Sequence, residues 1–185
     1  MKKVIFIAGM SGGKRDMLLV KKILKGFEVL YFPYNTKLTE NLEEYAKQLK
    51  NFINKLELKK NEKVSIVSYS AGGIIASYYI KFLEKKRVDK IITVCSPFNG
   101  TWLWRLSSEK KKGVQQVRKN SDLLKKIASG KIKPVKELNF WCWFDPLVLG
   151  TSGKASNPKH TIFFLHWIIQ FWPPIICKIR KFLND

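Results

Sequence analysis

The chain has 185 residues, which suits one domain, and its 45% hydrophobic and 13% aromatic content excludes a disordered chain. Lysine and arginine number 35 against 14 acidic residues, so the net charge is +21 and anionic partners are favoured. The lysines are spread along the chain and no nucleic-acid module is legible, so nucleic acid is not the expected partner. The three cysteines have no zinc-type spacing, and no uncharged apolar stretch reaches membrane-spanning length. We therefore expect a cytoplasmic protein without a metal or cofactor.

The first part of the chain alternates between strand and helix patterns. The apolar run 4–8 predicts a strand that is buried on both faces, and the glycine-containing segment 9–13 follows it. That segment matches neither the dinucleotide-binding pattern nor the phosphate loop, which argues against both kinds of site. A helix at 16–25, a strand at 27–32 and an amphipathic helix at 42–56 come next.

The segment 64–73 reads Val-Ser-Ile-Val-Ser-Tyr-Ser-Ala-Gly-Gly and is the most informative stretch. A β-branched strand stops at small residues, and a helix that is apolar nearly all round, and therefore expected to be buried, continues to residue 84. The pattern is that of the G-x-S-x-G nucleophile elbow, with Ser68 and Gly72 in the glycine positions and Ser70 at the tip. Turns of small residues also occur between strands and helices without catalysis, so this segment alone leaves both interpretations open.

The second half contains three more predicted strands and a less regular insertion. The strands are predicted at 88–94, 138–144 and 161–165. Residues 101–137 are a candidate lid or cap and contain one short helix that begins at Asp122 with Ser121 as its N-cap. The last helix starts near Pro174.

Alternating strands and helices predict an α/β fold: a parallel, doubly wound sheet of about six strands in a single domain, 1–185. In such sheets ligands bind beyond the carboxyl ends of the strands. The conspicuous polar groups lie at such ends, because Met10, Ser70, Asp145 and His166 each follow a predicted strand. This convergence favours an enzyme.

Taken together, these residues make the chain resemble the α/β-hydrolases, in particular the small lipases and esterases. Serine, aspartate and histidine occur in the order of that fold. The loop 95–101, Cys-Ser-Pro-Phe-Asn-Gly-Thr, is similar to the T-P-x-x-G-[ST] loop of lipases and glycolipid inositol deacylases, and 120–124 is similar to a helix start found downstream of it. The resemblance implies a minimal α/β-hydrolase that cleaves carboxylic esters.

The resemblance also implies roles for individual residues. Ser70 would be the nucleophile, His166 the general base and Asp145 the group that orients the imidazole. The backbone N–H groups of Met10 and Ala71 would form the oxyanion hole. The serine at position 68 departs from the usual glycine but is small enough to be tolerated.

Each assignment has an alternative. The only other histidine, His160, starts the sixth strand, whereas the family's histidine follows the last strand, so His166 is favoured. Asp145 could be a strand-end cap, with Asp122 or Asp89 in its place, although Asp89 precedes a strand and so lies at the wrong end of the sheet.

Aromatic residues suggest how a substrate could be held. Phe98, Trp102 and Trp104 lie where relatives have a lid or acyl pocket, and with the basic surface they could contact an anionic membrane. Ordinary core packing is the alternative for tryptophans, above all for Trp141 or Trp143. The expected substrate is a small-molecule or lipid ester that is cleaved through an acyl-enzyme; an acyltransferase or a non-catalytic basic binding module are the alternatives.

Overall fold

The computed structural model describes residues 1–84, 86–102, 105, 110–130, 135–142, 148, 160–162 and 173–185. The strands are β1 Lys3–Ile7, β2 Glu28–Tyr31, β3 Val64–Tyr69, β4 Val88–Val94, β5 Lys136–Cys142 and β6 His160–Ile162. The helices are α1 Lys14–Ile23, α2 Leu42–Asn54, α3 Ala71–Tyr78, α4 Lys112–Gln116, α5 Asp122–Ser129 and α6 Pro173–Asn184. A wider π-helical turn, Tyr79–Leu83, continues α3.

The strands form one sheet in the order β2-β1-β3-β4-β5-β6, and every neighbouring pair is parallel. Parallel neighbours require crossover connections, and helices supply them between the first four strands. The order runs outward from β1 in both directions, which is the doubly wound arrangement. The prediction of an α/β fold with a six-stranded parallel sheet is confirmed.

Side chains that alternate along the strands build a core on each face of the sheet. Ile66 packs with α2, α3 and α5 on one face, whereas its neighbour Val67 packs with α1 and α6 on the other. The same alternation separates Ile5 from Phe6. Both faces are therefore buried, which explains why the strands read as continuous apolar runs.

The second core includes a lysine. Lys90 of β4 is only 4% exposed, and burial lowers its pKa. Its ammonium group donates to the carbonyl oxygen of Leu183 at 3.2 Å and lies 5.7 Å from the ring centroid of Phe182. Lys2 donates to the same carbonyl at 3.1 Å. Two lysines thus donate hydrogen bonds to the end of α6. The last carbonyl groups of a helix have no acceptor role within the helix and carry partial negative charge, which favours cations there.

The main differences from the predicted elements lie in and after the elbow helix and in the insertion. Deep burial holds for residues 74–80 but is wrong for Phe82, which is 36% exposed, and for Leu83, which is half-buried. Both lie in the π-helical turn. The helix α4 was not predicted, because its five residues are too few for a periodic pattern.

Parts of the insertion 101–137 belong to the core. Val114, Leu123 and Ile127 are buried against the α2–α3 face of the sheet. Gln116 also accepts a hydrogen bond from the Leu42 N–H at 2.6 Å and so joins α4 to the start of α2. A lid function for this region stays a prediction.

None of the helices within the described ranges combines the length and the hydropathy that a membrane-spanning segment needs.

Ser121 caps α5 as expected, and its removal should be measurable. Its hydroxyl accepts from the Leu124 N–H at 3.3 Å and donates to the Gln116 carbonyl at 2.6 Å. Ser121→Ala should lower the free energy of unfolding by about 1–2 kcal/mol, because both bonds are lost. The control is Ser129→Ala, which removes an exposed hydroxyl from the same helix. This variant should change the free energy of unfolding by less than about 0.5 kcal/mol. Equal effects in urea denaturation would contradict the capping role.

Candidate active site

Ser70 stands on a strained turn between β3 and α3. Its φ of 51° and ψ of −125° lie in a region that non-glycine residues rarely adopt. Two backbone hydrogen bonds hold it there: the Ser70 N–H donates to the Val94 carbonyl at 2.8 Å, and its carbonyl accepts from the Gly73 N–H at 3.0 Å. The strand–turn–helix context of a nucleophile elbow is therefore present at Ser70.

Accessibility also distinguishes Ser70 from its neighbours. Every residue from Val64 to Ile80 is buried except Ser70, which is half-buried. The rest of this strand and helix is enclosed by the two cores, whereas the serine can be reached from solvent. A reactive hydroxyl requires this combination of rigid support and access.

The positions two residues before and after Ser70 explain the small side chains. A Cβ atom on Gly72 would lie 2.6 Å from the carbonyl oxygens of both Ile7 and Ala8. Ser68 is fully buried, and its hydroxyl donates to the Ile92 carbonyl at 2.9 Å. A serine is thus accommodated at the first glycine position because its only polar atom is paired with β4.

The loop after β1 packs directly on the candidate nucleophile. A Cβ atom on Gly9 would lie 2.8 Å from Ser70 Cβ, so only glycine allows this approach. The loop then turns back: Gly12 N–H donates to the Gly9 carbonyl at 3.1 Å, and Ser11 N–H donates to the Thr36 carbonyl at 3.0 Å. Because Gly9 packs on Ser70, the backbone adjoining Met10 lies beside the candidate nucleophile. Ala71, the first residue of α3, has no carbonyl four residues earlier within the helix to accept its N–H.

Tyr34 is a residue of this site that sequence reasoning missed. Its hydroxyl donates to the Ala8 carbonyl at 2.7 Å, immediately before Gly9, and its ring stacks on Phe32 at 5.5 Å. Burial raises the pKa of Tyr34, so the hydroxyl stays protonated and remains a donor. Its position in the sequence was the available signal, because Tyr34 follows β2 at the same edge of the sheet as the other candidate residues.

The loop after β4 supports α3 from the other side. Cys95 has a φ of 48°, and its N–H donates to the Phe140 carbonyl at 2.8 Å. The buried Ser96 side chain touches Gly73 and leaves no room for a Cβ atom there. Beyond it, Phe98 is half-buried and packs against the same core face as Met10. The loop that resembles the lipase pattern therefore contacts the nucleophile helix.

The other candidates are placed less completely. Trp102 is half-buried and Trp141 is 8% exposed, so core packing holds for Trp141. Trp104, Trp143, Asp145 and His166 lie outside the described residues. Of the alternatives, Asp89 accepts from Ser65 Oγ at 2.9 Å near the amino ends of the strands, away from Ser70. Asp122 lies in the first turn of α5.

The register of β6 bears on the choice of histidine. His160 pairs with Phe140, and Phe140 pairs with Val94, the residue that accepts the Ser70 N–H. The start of β6 is therefore level with the carboxyl edge of the sheet. Three strand spacings nevertheless separate β6 from β3, about 14 Å at ordinary spacing. His166 comes four residues after the end of β6 and lies outside the described residues, so its assignment as the base stays a prediction.

Residues 4–134 match the family model described as palmitoyl protein thioesterase. The chain belongs to this family. The match covers the elbow, the glycine loop and the loop after β4, which are the segments assembled around Ser70. Comparison with curated proteins by sequence finds no significant match.

Solved structures resemble this family member in fold. Bromoperoxidase from Bacillus anthracis has a TM-score of 0.75 and 16% identity over 100% of this chain and 92% of its own. The mature lipase BlEst2 of Bacillus licheniformis has a TM-score of 0.73 and 13% identity over 95% of this chain and 91% of its own. Aspergillus fumigatus lipase B has a TM-score of 0.65 and 18% identity over 94% of this chain but only 46% of its own. This chain therefore spans less than half of that lipase. The predicted α/β-hydrolase resemblance is confirmed, and family and fold together place the chain among hydrolases of the lipase, esterase and thioesterase type.

Gly72 provides a test of the packing around the elbow. In Gly72→Ala the added Cβ atom would meet two backbone carbonyl oxygens, which cannot rotate away as a side chain can. We expect a loss of about 1–3 kcal/mol in the free energy of unfolding, although alanine is the better helix former. The control is Gly13→Ala, where nothing lies within 4 Å of the new atom and the loss should be smaller. A Gly72→Ala variant as stable as wild type in urea denaturation would contradict the close approach.

Proposed function

We propose that this protein is a serine hydrolase that cleaves carboxylic esters or thioesters of acyl chains through an acyl-enzyme. The observation that carries the proposal is Ser70, a half-buried serine at positive φ with the backbone of Gly9 packed against it. We include thioesters as a substrate class because the matching family is described as palmitoyl protein thioesterase.

In the proposed reaction Ser70 Oγ attacks the acyl carbonyl carbon while His166 takes the hydroxyl proton. The negative charge that develops on the carbonyl oxygen would be stabilised by the N–H groups of Met10 and Ala71. The tetrahedral intermediate then expels an alcohol or a thiol, which receives the proton from His166, and leaves the acyl group on Ser70. Water attacks this ester in the second half with the same base, and Asp145 orients the imidazole throughout.

The chain's own contacts support a preorganised oxyanion site. Tyr34 holds the Ala8 carbonyl, and the turn bonds of Ser11 and Gly12 fix the backbone on either side of Met10. Removing one oxyanion donor from such a site typically costs about 3 kcal/mol of transition-state stabilisation. The rigidity of this loop would therefore matter to the rate as much as a catalytic side chain does. Phe98 and Trp102 are proposed to contact the acyl chain.

Replacing Ser70 tests the nucleophile. Ser70→Ala should reduce hydrolysis of nitrophenyl and thioester substrates by at least about 10⁴-fold, because no acyl-enzyme can form. Thermal unfolding should stay at the wild-type temperature or rise, since alanine fits the same space. Labelling by a fluorophosphonate probe should modify Ser70 in the wild type and vanish in the variant. Undiminished turnover by Ser70→Ala would refute the proposal.

The two histidines form a matched pair for testing the base. His166→Gln should lower kcat by about 10⁴-fold or more, whereas His160→Gln should leave it within about threefold. For the wild type, kcat/KM should fall below about pH 6.5, where an ordinary histidine is protonated and cannot accept the serine proton. If His160→Gln were the inactive variant, the base would have been assigned to the wrong histidine.

A further inference from the structure

The outer face of α1 carries two leucines where a solvated helix normally has polar residues. Leu18 is 56% exposed and Leu19 is 44% exposed, and within the described ranges they are two of the four large hydrophobic residues that are at least 36% exposed. The helix meets the sheet through Val20 and Leu24, which are buried. At 100° per residue, Leu18 and Leu19 point away from that buried side. Among the described residues, neither leucine belongs to either of the two cores.

Basic residues surround this leucine pair. Arg15, Lys21, Lys22 and Lys25 are exposed on the same helix and its end. The one acidic residue between positions 14 and 27 is Asp16, and its carboxylate accepts from the Gly13 N–H at 3.0 Å. Arg180 of α6 adds another cation beside this helix, because its guanidinium donates to the Ile23 carbonyl at 3.1 Å.

The position of α1 relates this surface to the candidate active site. The helix begins immediately after the loop that packs on Ser70, and Leu18 lies four residues into it, about 6 Å along the axis. A surface that took up the leucines would therefore lie close to the edge of the sheet where Ser70 is exposed.

We propose that Leu18, Leu19 and the basic residues around them form a docking surface for an anionic membrane. Exposed apolar side chains among lysines and arginines fit the interface of such a bilayer, where leucine enters the acyl boundary and cations meet lipid phosphates. A second copy of the chain fits less well, because two surfaces of this kind would bring like charges together in molecules that each carry +21. The proposal stands independently of ester cleavage.

Flotation of the full chain with lipid vesicles tests the docking surface. Wild type should bind phosphatidylcholine vesicles that contain about 30% phosphatidylserine and bind pure phosphatidylcholine vesicles at least about tenfold more weakly. Leu18→Gln with Leu19→Gln keeps good helix formers and should weaken binding to the anionic vesicles by about tenfold or more. Lys21→Gln with Lys22→Gln should have an effect of similar size.

The matched control separates location from net charge. Lys59→Gln with Lys60→Gln removes the same two charges from exposed positions between α2 and β3, where α2 packs on the face of the sheet opposite to α1, and should change binding by less than about threefold. An equal loss in this control, or unchanged binding by the leucine variant, would overturn the proposal. So would size-exclusion chromatography in which the leucine variant turns a dimer into a monomer while vesicle binding is unchanged.

Hydrolysis of a water-soluble short-chain ester provides an independent readout. The leucine variant should match wild type there, because neither leucine contacts the site around Ser70. A wild-type chain that binds anionic vesicles but hydrolyses nothing would refute the proposed function and leave the docking surface standing.

Discussion

The structure around Ser70 depends on close contact between two backbone segments. The end of β1 and the first turn of α3 approach so closely that a Cβ atom on Gly72 would touch the carbonyls of Ile7 and Ala8. The same approach brings Gly9 against Ser70. Because β1 and β3 are hydrogen-bonded neighbours in the middle of the sheet, this contact is held by the most buried part of the molecule. The position of one hydroxyl group is thus fixed by the packing of main chain on main chain.

The supporting hydrogen bonds come from strands on both sides of that contact. Tyr34, after β2, holds the Ala8 carbonyl, whereas Val94, at the end of β4, accepts the Ser70 N–H. Within the sheet, the Ser68 hydroxyl donates to the carbonyl of Ile92 in β4. The serine and the loop beside it are therefore positioned by four neighbouring strands. Strain at φ 51° can persist there because so many contacts determine the conformation together.

Local patterns in the sequence were sufficient to predict most of this architecture. Continuous apolar runs predicted the strands, and the small residues 68–73 predicted the elbow, because both depend on neighbours in the chain. Tyr34 was missed because its role arises from a carbonyl 26 residues earlier, and α4 because five residues carry no period. The exposed Phe82 lies in a π-helical turn, a helix type that composition does not reveal. Asp145 and His166 lie outside the described residues, and their assignments stay predictions.

The lysine within the sheet connects the middle of the chain to its last helix. Lys90 is buried in β4, and its ammonium group meets the carbonyl of Leu183, which lies 93 residues later. Until α6 has docked, that cation has no helix end to meet, and its hydration opposes closure of the core on the face of the sheet that α1 and α6 cover. On a ribosome the central strands would emerge well before the residues that close over them. Completion of the core on that face therefore requires the last helix, although its strands come much earlier in the chain.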